Sequence, residues 1–328
     1  MESLTMNRCT RIVSVLVVLI TFCLSAAAAG SGYKVIKKIP VGGEGGWDYL
    51  TVDADARRLY VSHGTRVEVI DLDAQKVVGQ IPDTAGVHGI AVVAEVDRGY
   101  TSNGRSNNST VFDTKSLKTL GLVPTGNKPD AIIYDPASKR VFAFNGDGNS
   151  ATAINAADGK VAGTVDLGGG PEFAAADGAG TVFVNLEEEG QVVAFDSKQL
   201  KVLNKWPLDP CKTPTAMAMD RKNRRLFIGC RSHVAAIVNA DSGKVIQTLP
   251  IGDHVDAAAF DSDAGLVFFS NGDGTINVIH QDSPDQYTAI DTVQTAPRAK
   301  TMTFDPVTKR LYLSTAESGQ FEILVVGR

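Results

Sequence analysis

A short pattern recurs seven times along this 328-residue chain, at intervals of about 42 residues. In each copy a turn is followed by a three-residue segment that ends in an aromatic side chain. These aromatic residues are Tyr60, Tyr100, Phe142, Phe183, Phe227, Phe268 and Tyr312. A self-similar period of this length is typical of a repeat architecture, so the chain is expected to fold as an array of equivalent units.

The third copy shows what one unit contains. It divides into four apolar runs, "DAIIYD", "RVFAF", "ATAIN" and "KVAGTVDL", with Asp-Pro, Asn-Gly and Asp-Gly pairs between them. These pairs favour tight turns, so each unit is predicted to hold four antiparallel strands. Seven such units in a ring bury their faces against each other, and the sequence therefore predicts an all-β, seven-bladed β-propeller.

The two ends of the chain complement each other. The seventh copy ends before a fourth strand, whereas "YKVIKKIPVGG" at 33–43 resembles the fourth strands "KVVGQIP" and "KVIQTLPIG" of other copies. The N-terminal strand is therefore predicted to complete the last blade, which also removes the exposed sheet edges of an open array. Residues 30–328 are predicted to form one propeller domain.

The first 29 residues have the pattern of a secretory signal peptide. Arg8 and Arg11 precede an apolar run over 12–24, and "SAAAAGSG" then offers a small-residue cleavage site. An uncleaved membrane anchor is the alternative, but the apolar run is short for a membrane span. The mature protein is therefore predicted to be periplasmic or secreted, with no membrane span after cleavage.

The repeats resemble the YVTN-repeat β-propellers, and in particular the exported YncE-like proteins. The segments that carry the resemblance include "VHGIA", "KPDAIIYDPASKRVFAFNG", "GGPEFAAAD", "RRLFIGC", "VDAAAFD" and "SNGDGTINVI", and it extends from residue 33 onward. The Tyr-Val-Thr-Asn motif itself is degenerate here. The resemblance implies an exported seven-bladed propeller, and it names a repeat and not a reaction.

Composition and motifs exclude several function classes. The formal net charge is −5 and the basic residues are scattered, so nucleic acid is an unlikely partner. The sequence contains no Gly-x-Ser-x-Gly, phosphate-binding loop, His-Glu-x-x-His or Cys-x-x-Cys motif. No cofactor is identified by sequence, although a divalent metal ion is one candidate.

Superimposing the copies predicts a ring of side chains at one mouth of the central channel. The ring is counted back five residues from the end of each innermost strand. Its predicted members are Asp48, Gly89, Asp130, Glu172, Thr215, Asp256 and Lys300. Four of these seven residues are carboxylates, and His88 and Arg298 lie beside the ring on the same face.

Two interpretations of this ring are open at this point. As a functional site, Asp48, His88, Asp130, Glu172, Asp256, Arg298 and Lys300 bind a ligand. Within that set, Asp48, Asp130, Glu172 and Asp256 hold a metal ion. As a structural feature, the carboxylates cap backbone N–H groups, and Lys300 and Arg298 neutralise them.

The sequence favours a binding module that presents this face to a small molecule, a metal ion or a partner protein. A metal-assisted lactonase or lyase on the same face is the alternative. The protein is expected to be a monomer.

The mature chain contains two cysteines, Cys211 and Cys230. Export places them in an oxidising compartment, and adjacent antiparallel strands bring the entry of one strand beside the exit of the next. A disulfide is therefore predicted between them, with a stabilising contribution of about 3 kcal/mol in the chain-entropy model.

Overall fold

The computed structural model describes Met1 and residues 30–43, 46–317 and 319–328. In this part of the chain, 28 strands form seven four-stranded antiparallel sheets, and the only helical element is a short 3₁₀ turn, Ala94–Val96. The first strands of neighbouring sheets contact each other around the ring. The predicted all-β, seven-bladed propeller is confirmed.

The strands follow one another from the channel outward in blades one to six. Blade one contains β2 (Leu50–Asp53), β3 (Arg58–His63), β4 (Arg66–Asp71) and β5 (Lys76–Ile81). Blade two contains β6 (Val87–Val93), β7 (Arg98–Asn103), β8 (Asn108–Asp113) and β9 (Thr119–Pro124). Blade three contains β10 (Pro129–Asp135), β11 (Arg140–Asn145), β12 (Ser150–Asn155) and β13 (Val161–Asp166).

The remaining blades repeat this order. Blade four contains β14 (Pro171–Ala176), β15 (Thr181–Leu186), β16 (Gln191–Asp196) and β17 (Lys201–Pro207). Blade five contains β18 (Pro214–Asp220), β19 (Arg225–Cys230), β20 (Val234–Asn239) and β21 (Val245–Pro250). Blade six contains β22 (Val255–Asp261), β23 (Leu266–Asn271), β24 (Thr275–Ser283) and β25 (Gln286–Gln294). Blade seven contains β26 (Met302–Asp305), β27 (Arg310–Glu317), β28 (Gln320–Gly327) and β1 (Lys34–Pro40).

Strand β1 closes the ring, as the sequence predicts. It pairs antiparallel with β28, with Lys34 opposite Gly327 and Ile39 opposite Ile323. Ile39 is fully buried in the core between blades seven and one. Because the strand comes from the opposite end of the chain, closure joins the two termini through one sheet.

The recurring aromatic residue of each copy is buried between blades. A second device, which the sequence analysis missed, is an ion pair from one blade to the preceding one. Arg57 contacts Asp305 at 2.9 Å and Arg224 contacts Asp177 at 2.9 Å. The sequence contains a pattern that indicates these ion pairs. An aspartate that caps a turn recurs at the end of the innermost strand, and a basic residue often follows it four positions later.

The predicted disulfide is present. Cys211 precedes β18 and Cys230 ends β19, and their Cα atoms lie 5.6 Å apart. Both side chains are buried at the core of blade five. The bridge therefore fixes the loop that leads into the innermost strand of this blade.

Among the described residues, no helix is long and apolar enough to cross a membrane. The predicted signal peptide falls on residues 1–29, of which 2–29 lie outside the described residues.

Candidate cation site at the channel mouth

Strand register identifies the seven residues that ring one mouth of the channel. They are Asp48, His88, Asp130, Glu172, Thr215, Asp256 and Lys300, one from each blade at the start of the innermost strand. The prediction was wrong in blade two, where His88 and not Gly89 holds the ring position. Val87 pairs with Asn103 as Pro129 pairs with Asn145, which makes His88 equivalent to Asp130.

The miscount has a local cause. In the other blades the innermost strand ends at or just before an aspartate, whereas β6 ends at Val93 and leads into the 3₁₀ turn. Counting from Ala94 therefore shifted the position by one residue. In the ring, His88 therefore lies directly between Asp48 and Asp130.

Three consecutive blades bring Asp48, His88 and Asp130 together. Nδ1 of His88 lies 2.6 Å from Oδ2 of Asp48 and 3.6 Å from Oδ1 of Asp130. One potential ligand atom from each residue lies within 4.8 Å of the others. Two carboxylate oxygens and an imidazole nitrogen at this spacing fit the coordination sphere of one divalent metal ion.

Serine side chains of the second strands hold the backbone at these positions. The Ser62 hydroxyl accepts a 2.7 Å hydrogen bond from the N–H of Asp48. The Ser102 hydroxyl donates to the carbonyl of Asp130 and so joins blade two to blade three. The backbone that carries the three side chains is therefore fixed by the fold before any ligand arrives.

The electrostatics of the cluster favour a cation. Burial alone lowers the pKa of His88, but the hydrogen bond to Asp48 and the charges of Asp130 and Asp48 raise it above its ordinary value. Burial raises the pKa of Asp130 to about 7, and the nearby carboxylates add to the effect while His88 opposes it. These carboxylates repel each other, and a bound cation would relieve that repulsion.

Glu172 occupies the next ring position and lines an acidic cavity that Asp130 also lines. Burial raises its pKa to about 9, and the charges of Asp130 and Glu187 contribute next. The cavity has a volume of about 370 Å³, and Glu187, Glu188 and Glu189 also line it. Within the described part of the chain, the Glu172 carboxyl has no hydrogen bond or ion pair. This carboxyl is therefore held in the protonated form at neutral pH.

Asp256, the fourth predicted metal ligand, has a different environment. Its carboxylate contacts Nζ of Lys300 at 2.8 Å and lies 3.8 Å from Nη2 of Arg231. Lys300 therefore neutralises this part of the ring, as the structural interpretation expected. Neither Glu172 nor Asp256 belongs to the three-residue group around His88.

The four carboxylates nevertheless converge above one residue that sequence reasoning missed. Burial raises the pKa of the Tyr49 hydroxyl well above its usual range, and the charges of Asp130, Glu172, Asp48 and Asp256 all add to this. Below the ring, Tyr49 packs against Phe173 with ring centroids 5.2 Å apart. These rings line an apolar channel cavity of about 280 Å³. The mouth is thus charged, and the channel beneath it is not.

Arg298 lies on the predicted face but away from the carboxylates. Its guanidinium lies over the Trp47 ring, 5.7 Å from the centroid. Both residues line a cavity of about 580 Å³ together with Lys300 and His254. The mouth therefore has an acidic side over blades one to four, whereas over blades six and seven Lys300 is paired with Asp256 and Arg298 lies over Trp47.

Comparison with known proteins supports the fold alone. No family model matches the chain, and no curated protein matches it. Similar solved structures include U3-55K, with TM-score 0.76, 11% identity, and coverage of 90% of this chain and 98% of that one.

Two further structures also align over most of both chains. The WD40 repeats of RRP9 give TM-score 0.76, 11% identity and coverage of 92% and 98%. The hydrazine synthase of Kuenenia stuttgartiensis gives TM-score 0.73, 16% identity and coverage of 86% and 96%. Identities this low indicate a shared propeller architecture, and a propeller does not by itself specify a function.

Proposed function

We propose that this chain is an exported propeller of the YVTN-repeat, YncE-like type, located in the periplasm or secreted. In this proposal it is a binding module that holds a divalent cation, and a small ligand beside it, at the acidic mouth. The repeat segments and the signal-peptide pattern at residues 1–29 support the family and the location. The geometry of the mouth supports the binding role.

The observation that carries the proposal is the cluster of Asp48, His88 and Asp130. Its potential ligand atoms lie within 4.8 Å of each other on three adjacent blades. A mixture of carboxylate and imidazole ligands suits Mn²⁺, Fe²⁺ or Zn²⁺ better than Ca²⁺, which prefers oxygen ligands alone. Three protein ligands would leave coordination positions for a further molecule.

We expect Mn²⁺ to stabilise the folded protein. A ligand at one hundred times its dissociation constant raises the free energy of unfolding by about 2.7 kcal/mol when it binds the folded state alone. The measurement is the thermal midpoint as a function of Mn²⁺ concentration, for the wild type and for the Asp48→Asn and Asp130→Asn variants. Both variants should lose most of the shift.

Asp253→Asn is the matched control. Asp253 also pairs with a histidine, since its Oδ1 lies 3.0 Å from Nδ1 of His254, but among the described residues it belongs to no three-residue cluster. This variant should retain the full Mn²⁺ shift. The proposal is wrong if no divalent ion moves the wild-type midpoint while Asp48→Asn and Asp130→Asn only stabilise the protein.

A metal-assisted lactonase or lyase is the second candidate, and one observation favours it. Burial raises the pKa of Glu172, which lies outside the three-residue cluster, to about 9, so its carboxyl is protonated at neutral pH and suits a general acid. Under this candidate, a lactone panel would be turned over by the Mn²⁺-loaded protein, and Glu172→Gln would abolish turnover. Ligand binding without turnover would support the binding module.

A further inference from the structure

We propose that the cavity between Trp47 and Arg298 binds small aromatic carboxylates, with the carboxylate on Arg298 and the ring against Trp47. This inference rests on the proposed function, because it assigns a chemical class to the ligand of the same mouth. It concerns the Arg298 side of the mouth and not the three residues of the cation site.

The guanidinium of Arg298 is placed for anion recognition. Its Cζ lies 5.7 Å from the centroid of the Trp47 ring, and the guanidinium carries five N–H donors around the edge of its plane. In the described part of the chain, no carboxylate or carbonyl accepts a hydrogen bond from these donors. An arginine with this edge available matches the two oxygens of a carboxylate.

The backbone presents this side chain in a fixed way. Arg298 has a left-handed conformation with φ of 66°, and its N–H donates a 2.9 Å hydrogen bond to the carbonyl of Gly272. The same site of the repeat in blade two holds Gly86, with φ of 67°. Lys128, Thr213 and His254 have the same left-handed conformation at this site in blades three, five and six, so the conformation belongs to the repeat and holds whichever side chain occupies it.

Trp47 is equally well supported. Its ring stacks on Phe321, with centroids 5.3 Å apart and planes at 24°. Phe321 is buried in the closing sheet of blade seven. Because Phe321 stacks on the indole and Arg298 lies over its ring, a planar ligand bound by Arg298 would contact the remaining edge of a rigid indole.

Arg298 is the charge in this cavity that can select an anion, because Lys300 and His254 are paired with Asp256 and Asp253. The described lining of the cavity consists of Gly46, Trp47, His254, Gly272, Arg298 and Lys300, without a carboxylate. The acidic cavity across the mouth has the opposite composition. An organic cation would therefore favour the other side of the mouth.

The cavity also adjoins the cation site. A neighbouring cavity of about 380 Å³ contains Asp48 and His88, and the two cavities share Gly46 and Trp47. A ligand bound by Arg298 would thus lie in the cavity that borders the one containing Asp48 and His88. The cavity lined by Trp47 and Arg298 has a volume of about 580 Å³, which accepts a ligand with one or two rings.

Tryptophan fluorescence offers a direct test. The chain has two tryptophans, Trp47 and Trp206, and Trp206 stacks on Phe183 in blade four. In a Trp206→Phe background, the emission reports on Trp47 alone. We expect benzoate to change this emission saturably, whereas its neutral analogue benzamide and its cationic analogue benzylamine should bind at least about tenfold more weakly.

Two variants complete the test. Arg298→Gln should weaken benzoate binding about tenfold or more, because a hydrogen bond to a charged group is lost. Lys128→Gln changes a cation at the same left-handed position of blade three, where φ is 51°, and should leave benzoate binding unchanged. If Trp206→Phe does not fold, the benzoate-induced shift in the melting midpoint of the otherwise unaltered chain is the readout.

The outcomes separate this inference from the proposed function. Arg298→Gln should still show the full Mn²⁺ stabilisation. If Mn²⁺ binds but benzoate does not, or if benzylamine or benzamide binds as well as benzoate, the carboxylate assignment is overturned and the cation site stands. If benzoate binds and Mn²⁺ does not, the cation site is wrong and the carboxylate assignment stands.

Discussion

Replacement of Glu172 by Gln is expected to stabilise the protein by about 4 kcal/mol at pH 9. Burial and neighbouring carboxylates raise the pKa of Glu172 from 4.5 to about 9. Each unit of such a shift corresponds to about 1.4 kcal/mol, and we reduce the total because solvent and counter-ions reach the open mouth. The variant keeps the shape of the side chain and removes its charge.

The raised pKa of Glu172 also predicts the direction in which stability changes with pH. Between pH 4.5 and about 9 the folded state holds a proton on Glu172 that the unfolded state has released. The stability of the wild type should therefore fall as the pH rises through this window. The difference between wild type and Glu172→Gln should vanish below pH 4.5, where the side chain is protonated in both states. Urea unfolding at a series of pH values measures both effects.

Glu187→Gln is the matched control for this prediction. Glu187 lines the same cavity, but its carboxylate is paired with Nη1 of Arg231 at 2.7 Å. Removing this charge relieves part of the repulsion on Glu172 but breaks the pair with Arg231, so the gain in stability should be much smaller than that of Glu172→Gln. If Glu187→Gln and Glu172→Gln have the same effect, the burial of Glu172 is not the cause.

Substitution of Ile39 by Asp is expected to cost at least about 4 kcal/mol. Ile39 lies in the strand that closes the ring, and its side chain is fully buried. Truncation of a buried isoleucine alone costs about 2 to 5 kcal/mol, and an unpaired buried carboxylate adds to this. Urea unfolding followed by circular dichroism measures the loss.

Ile36→Asp provides the comparison on the same strand. Ile36 is 39% exposed, so a carboxylate at this position reaches water. It should change the unfolding free energy by less than about 1 kcal/mol. Equal effects of the two substitutions would mean that the N-terminal strand does not close the ring.

The fold was predictable because every level of the sequence agrees with it. The 42-residue period, the turn-forming pairs and the match between 33–43 and other fourth strands all indicate the same closed propeller. The disulfide was predictable for a similar reason, since the repeat places Cys211 and Cys230 at adjacent strand ends.

The site was only partly predictable. Repeat equivalence identified the ring positions of Asp48, Asp130, Glu172, Asp256 and Lys300, because the backbone register of a strand determines which of its residues lies at the channel mouth. It failed for blade two, where the 3₁₀ turn replaces the usual aspartate turn.

Side-chain pairing was beyond the repeat pattern. Lys300 neutralises Asp256, whereas Arg298 lies over Trp47 and contacts none of the ring carboxylates. These differences depend on the side-chain rotamers and neighbours within individual blades. A comparison of the repeats shows only what the blades have in common. The Tyr49 hydroxyl beneath the ring was missed for the same reason, although it directly follows Asp48 in the sequence.

The most direct test of the proposed cation site is anomalous diffraction from crystals soaked with Zn²⁺. We expect one peak per chain at the mouth, about 2.0–2.2 Å from a carboxylate oxygen of Asp48, a ring nitrogen of His88 and a carboxylate oxygen of Asp130. Crystals of an Asp48→Asn/Asp130→Asn double variant should lack this peak. The proposed cation site is wrong if a soaked wild-type crystal has no density at this position, or has a peak only beside Asp253 and His254.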